Sequence, residues 1–293
     1  MLKSYLLIFL IGLQTAWMGL SGQISSEQVV PRSAEETNFS ASQQKVTKLE
    51  ITDNAAQSED YQRKIEKLGI TLHPGTDFDS NSKGNPISLN HCAELVYQTL
   101  KVMPEKTVSK VKNLTLYFNS TGRRGLGGGS TIILRCQNVT DQELVSVLVH
   151  ELGHIEDTAV MKGDFWAGES EFKDGKNSVY NNDASLGFYR ISFENDKKLK
   201  TEAVDTDFVS GYAKTDPYED FAESYNFYLL HGEEFRQMGE RTPALAQKYS
   251  FLKDNVFGGK EFGLQSNSVL ALSDERNYDT TVLEYDLKKF LAI

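Results

Sequence analysis

The stretch TDQELVSVLVHELGHIED, residues 140–157, decides how the chain is read. Thr140 supplies a side-chain cap, and Glu143 three residues on completes a capping box. Leu144, Leu148, Leu152 and Ile155 then recur at the 3.6-residue period of an amphipathic helix. His150 and His154 share a neighbouring face, because positions i and i+4 of a helix look the same way. The order His150-Glu151-Leu152-Gly153-His154 is the HExxH pattern, and a capped helix is the context that gives the pattern meaning.

Two imidazoles one turn apart can share a zinc ion at about 2.0–2.1 Å. Glu151 flanks such a metal without binding it, placed to take a proton from an attacking water and return it to a leaving amine. The chain has 5 histidines, and two of them fall in this motif. One zinc per chain is therefore expected.

A catalytic zinc takes three protein ligands and keeps an open position. A third ligand six residues after His154 is excluded, because Val160 stands there. The segment DPYEDFAE, residues 216–223, reads as a helix start, with Asp216 as cap and Pro217 at its first position. Its Glu219 and Glu223 are i, i+4 on one face. Either could reach the metal, as could Glu169, Glu171, Glu194 or Glu202, and Glu219 could serve only as a capping residue.

HELGHIED at 150–157 followed by SGYAKTDPYEDFAESY at 210–225 resembles the peptidase domain of anthrax lethal factor and the bacterial Pro-Pro endopeptidases. The resemblance covers residues 88–231. It implies an α+β, zincin-like metallopeptidase domain with a small mixed sheet, an HExxH active-site helix and a mostly helical C-terminal subdomain. It further implies that Glu219 binds zinc beside His150 and His154, and that Tyr212 assists catalysis with Glu151. Glu223 and Asp157 would brace the ligands from behind. The connection from His154 to Glu219 is longer than the family's, so family substrate preferences do not carry over.

Around this core the chain reads more simply. Lys3, an apolar run over 5–20 and the small residues Gly19, Ser21 and Gly22 make a signal peptide over 1–22. Residues 23–57 are a polar linker or pro-segment, and 58–293 form one domain. Residues 91–103 have helical spacing, while 113–118 and 131–136 read as strands. The glycine-rich 122–130 reads as a loop. No Gly-Lys-Ser/Thr follows it, so nucleotide binding is rejected. Residues 188–193 read as a strand. The strand at 131–136 is expected at the rim of the cleft, where Thr131, Ile132, Ile133 and Leu134 would pair with an extended substrate. Cys92 and Cys136 are the only cysteines. In an exported chain they can pair, closing a loop worth up to about 4 kcal/mol by chain entropy.

A formal net charge of −10 disfavours nucleic acid and anionic membrane. The expected product is a secreted or periplasmic zinc endopeptidase acting on protein or peptide, with no stable membrane insertion after signal removal. A metal-bearing binding module without activity and a self-processing peptidase that trims 23–57 are the competing readings.

Overall fold

The computed structural model describes residues 60–74, 89–119, 122–263 and 268–293. The expected signal peptide and polar segment lie outside the described residues. The fold is mixed α and β with a small mixed sheet at its N-terminal side.

Strands β1 (Thr71–Pro74), β2 (Asn113–Tyr117), β3 (Gly125–Gly128) and β4 (Thr131–Arg135) form one sheet in the order β1-β2-β4-β3. The β1–β2 and β2–β4 pairs are parallel, and β3 is antiparallel to β4. Alternation sets the faces: Leu114 and Leu116 of β2 and Ile132 and Leu134 of β4 are buried, and their sequence neighbours less so. Helix α1 (Leu89–Val102) follows β1 and supplies the crossover that parallel pairing requires. Helix α2 (Asp141–Ile155) is capped by Thr140, whose side chain accepts the Glu143 amide at 3.1 Å.

Two strand expectations are corrected here. Residues 125–128, expected as loop, are the edge strand β3. Gly128 and Gly129 have φ of 149° and 57°, and this left-handed backbone turns the chain straight into β4. Strand β4 is consequently interior, hydrogen-bonded to β2 on one side and β3 on the other. Thr131, Ile132, Ile133 and Leu134 have no free edge to offer a substrate.

Cys92 of α1 and Cys136, just past β4, form a disulfide with Cα atoms 6.1 Å apart. It ties the crossover helix to the strand that leads into α2.

After α2 the chain continues as a π-helical turn (Glu156–Val160), then the hairpin β5 (Glu169–Asp174) and β6 (Asn177–Tyr180). Residues 188–193, expected as a strand, belong mainly to helix α3 (Leu186–Ser192). A short apolar run does not distinguish strand from buried helix. Here Phe188 decides, inserting edge-on between Phe221 and Phe251. A short hairpin, β7 (Phe193–Asn195) and β8 (Lys198–Leu199), follows.

The remainder is helical: α4 (Pro217–Leu230), α5 (Gly232–Arg241) and α6 (Pro243–Phe251), with shorter turns beyond. Helix α4 packs directly on α2. A Cβ on Gly153 would lie 2.9 Å from the Ala222 Cα, so the small residues at both positions set this close approach. A fully buried ion pair, Lys248 to Asp220 at 2.6 Å, joins α6 to α4. No helix among the described residues is long and apolar enough to cross a membrane.

Candidate metal centre

Helix α2 presents His150 and His154 with their ring centroids 4.9 Å apart. The first turn of α4 brings Glu219 opposite them. Asp216 fixes that turn, accepting the amides of Tyr218 and Glu219 at 3.0 and 2.9 Å. The Glu219 Oε2 lies 3.2 Å from His150 Nε2 and 3.4 Å from His154 Nε2. Ligands about 2.05 Å from one tetrahedral ion stand about 3.3–3.4 Å from each other, so both spacings fit a shared zinc. The same Oε2 is buried and accepts no hydrogen bond. A buried carboxylate oxygen without a donor is costly unless a cation meets it, so the donor set fits a metal.

Glu151 also comes close: one of its carboxylate oxygens and a ring nitrogen each of His150 and His154 lie within 4.8 Å of one another. Glu151 is therefore a rival for the third position. Its packing argues otherwise. The carboxylate lies against β3, so that a Cβ on Gly125 would fall 2.2 Å from Glu151 Oε1 and one on Gly127 2.8 Å from Oε2. Glu219 is the oxygen left facing both imidazoles.

Glu223, one turn further along α4, is fully buried and accepts His150 Nδ1 at 2.9 Å. Three further donors hold it: Ser210 Oγ at 2.5 Å, Thr280 N at 2.8 Å and Thr280 Oγ1 at 2.9 Å. The expected bracing role therefore has its geometry. Asp157 does not share it. Its Oδ1 accepts the Tyr189 hydroxyl at 2.5 Å, and it makes no hydrogen bond to either histidine. It lies in the π-helical turn that follows His154 and is held by Tyr189 instead.

Tyr212 stands over the site, its ring stacked at 6.2 Å on His150 and its hydroxyl donating to Glu219 Oε1 at 2.9 Å. The cleft holds about 490 Å³ and is walled by Gly125 and Leu126 on one side and by Asp279 and Thr281 on another. Arg124 joins those walls, pairing with Asp279 and with Glu143 at 3.2 Å, and donating to Thr281 Oγ1 at 2.7 Å.

The electrostatics follow from this crowding. Burial opposes the Glu219 charge, but His150 and His154 outweigh it and hold the carboxyl well below its ordinary range. Burial likewise opposes a charged His150, and Glu219 and Glu223 reverse it and raise the imidazole well above its usual value. Burial raises Glu151, and the two histidines only partly offset that. A carboxylate displaced upward is the more effective proton acceptor near neutral pH.

The other carboxylates weighed as ligands stand at the surface: Glu171 pairs with Arg190 at 2.6 Å, Glu194 with Lys198 at 2.5 Å and Glu169 with Lys173 at 3.9 Å, and Glu202 is exposed. His73 and His91 bond Asn113 and Asp141 away from the cleft. His231 ends α4, buried beside Glu234 at 3.6 Å. Ser210, Thr280, Arg124 and Asp279 escaped sequence reasoning. No known protein family, curated protein or solved structure matches the chain.

Proposed function

We propose that this chain is an exported zinc-dependent endopeptidase of zincin type that hydrolyses protein or peptide substrates. The observation that carries the reading is the convergence of Glu219 Oε2 on His150 Nε2 and His154 Nε2 at 3.2 and 3.4 Å, with that oxygen otherwise unpartnered. When bound, zinc would lower the pKa of water toward about 7 and polarise a peptide carbonyl.

The chain's own residues supply the rest. Glu151, raised by burial and seated against β3, takes the proton of the attacking water and carries it to the leaving nitrogen. Tyr212 directs a hydroxyl into the same space, where it can donate to the oxygen that gains charge. Among the described residues β3 pairs with β4 alone, so its outer edge can pair with an extended peptide. Glu223 accepts the Nδ1 hydrogen of His150, the tautomer in which Nε2 would be free to bind zinc.

The test uses purified protein, its zinc content and an unfolded protein substrate such as casein. One zinc per chain is expected, lost in His150→Ala. Glu151→Gln should keep zinc while cleavage falls about 10²- to 10⁴-fold. Zinc binding without any cleavage would favour the binding-module reading, and undiminished zinc in His150→Ala would remove the site.

A further inference from the structure

A second cavity of about 480 Å³ opens behind the π-helical turn that prolongs α2. Its floor is Asp157, Tyr189 and Tyr218, and its outer wall is the β5–β6 hairpin with Asp183 beside it. Asp157 is 1% exposed, and its Oδ2 has no hydrogen-bond partner. The Ser185 hydroxyl is near enough to steady this carboxyl but does not meet hydrogen-bond geometry. The Tyr218 hydroxyl is also buried and unpartnered. Two bare polar atoms therefore share one cavity, and nothing in the metal site uses either.

Carboxylates outnumber ammonium groups around them, Asp157, Asp174 and Asp183 against Lys162 and Lys176. The charges acting on the Tyr218 phenol come from Asp157, Asp174, Asp196 and Asp216. Those acting on Tyr189 include Asp157 and Asp183. Lys162 and Lys176 stand at the rim, exposed. A metal ion is not the matching occupant. Among the described residues, ligand atoms close enough to share an ion occur at His150, Glu151 and His154 and not here. A bare carboxylate oxygen, a free phenol and aromatic faces match an ammonium or guanidinium group.

Position connects this cavity to the cleft. Gly125 and Leu126 line the metal cleft, and Gly129, at the far end of β3, lines the second cavity, its amide donating to Thr158 Oγ1 at 2.8 Å. Glu219 faces the first space and its neighbour Tyr218 the second. At about 3.4 Å per residue, the three extended steps from Gly125 to Gly128 span about 10 Å, and Gly129 follows at the turn. A peptide lying along β3 thus reaches the second cavity within about four residues of the bond at the metal.

We propose that this cavity is a substrate subsite that takes a lysine or arginine side chain, its cationic end bonded to Asp157 and Tyr218. The proposal rests on the peptidase reading above. It makes the segment between His154 and Glu219 the source of specificity. A cation seated there also restores the carboxylate charge that burial disfavours.

The test profiles cleavage of a proteome-derived peptide library by wild type, Asp157→Asn and Asp174→Lys. Asp157→Asn keeps the side-chain volume and the bond from Tyr189, and Asp174→Lys alters an exposed rim residue that cannot threaten folding. Wild type should favour Lys or Arg at one fixed position on one side of the cut. Both variants should lose that preference about 10- to 100-fold, the scale of a hydrogen bond to a charged group. Cleavage of peptides without a basic residue there should hold. Absence of a basic preference, or its survival in both variants, overturns the subsite. If wild type cleaves nothing, the peptidase reading fails separately, and ligand-detected NMR with Nα-acetyl-lysine methylamide decides the cavity. Contact that exceeds the norleucine analogue and falls in Asp157→Asn supports it, and equal signals sink it.

Discussion

Glu223 Oε1 accepts the Nδ1 hydrogen of His150 at 2.9 Å across the α2–α4 interface, from a position with no solvent exposure. Ser210 and Thr280, from segments on either side of α4, complete its hydrogen bonding. The C-terminal segment is thereby hooked to a histidine of the candidate metal centre. Loss of such an outer partner costs about 10- to 100-fold in metal affinity. Glu223→Gln is expected to fall in that range, because the amide keeps the shape but cannot hold Nδ1–H as strongly. Glu219→Ala removes a direct ligand and should cost more. Chelator competition on the two variants measures both. A larger loss from Glu223→Gln would exchange the roles of the two carboxylates.

Tyr212 meets the site twice, its ring stacked on His150 and its hydroxyl donating to Glu219 Oε1. Tyr212→Phe keeps the ring stacked on His150, so zinc affinity should hold within a few fold. Removal of a donor to a developing oxyanion typically lowers kcat about 10²- to 10³-fold. That split, with KM little changed, is the expected result on a cleaved peptide. Turnover equal to wild type would leave Tyr212 as a packing residue.

Asp157 makes stability depend on pH. Burial raises its carboxyl from 3.8 to about 7, and the Ser185 and Tyr189 hydroxyls offset this only in part. Between those values the folded protein holds a proton that the unfolded chain has released. Stability contributed here is complete at low pH, falls as pH rises from about 4 to 7, and is flat above. Three units correspond to at most about 4 kcal/mol. Asp157→Asn cannot ionise, so its urea midpoint should fall less than wild type's between pH 5 and pH 8. Parallel slopes for the two proteins would assign the pH dependence elsewhere, first to Asp220, which burial raises to about 6.

What could be read from the chain alone was local. The α2 cap, its apolar stripe and the His150–His154 pair all lie within fifteen residues or so, where periodicity and capping decide the outcome. The start of α4 was legible for the same reason, since Asp216 and Pro217 mark it directly. Strand β3 was not, because glycine carries no strand preference. The reason for its glycines is Glu151, which only the folded sheet brings beside them. Thr280 contacts Glu223 from 57 residues away, and no spacing rule reaches that far. The 186–193 segment shows the remaining weakness. Its aromatic residues suit either a strand or a buried helix, and packing against Phe221 and Phe251 chose the helix.

The glycines of β3 provide the sharpest test of how Glu151 is positioned. A Cβ on Gly127 would meet the Glu151 main-chain oxygen at 2.6 Å as well as Oε2 at 2.8 Å. A carbonyl oxygen inside a helix cannot turn aside, so strand and helix must separate, a strain of about 1–3 kcal/mol. At Gly125 the nearest atom is Glu151 Oε1 at 2.2 Å, with Val147 Cγ1 at 2.7 Å. Both belong to side chains that can give way. Gly125→Ala should therefore fold and keep zinc, with Glu151 pushed off its seat. Displacement of a catalytic group by about 1 Å can cost about 10²-fold in rate. Gly127→Ala should lose comparable activity and also melt at lower temperature. Gly69→Ala is the control, since a Cβ there meets nothing within 4 Å and φ of +81° leaves only local strain. It should lower stability by about 1–2 kcal/mol and leave cleavage unchanged. Casein hydrolysis, zinc content and thermal unfolding of the three variants give the comparison. Wild-type cleavage by Gly125→Ala would mean that the carboxylate of Glu151 does not act from its seat on β3.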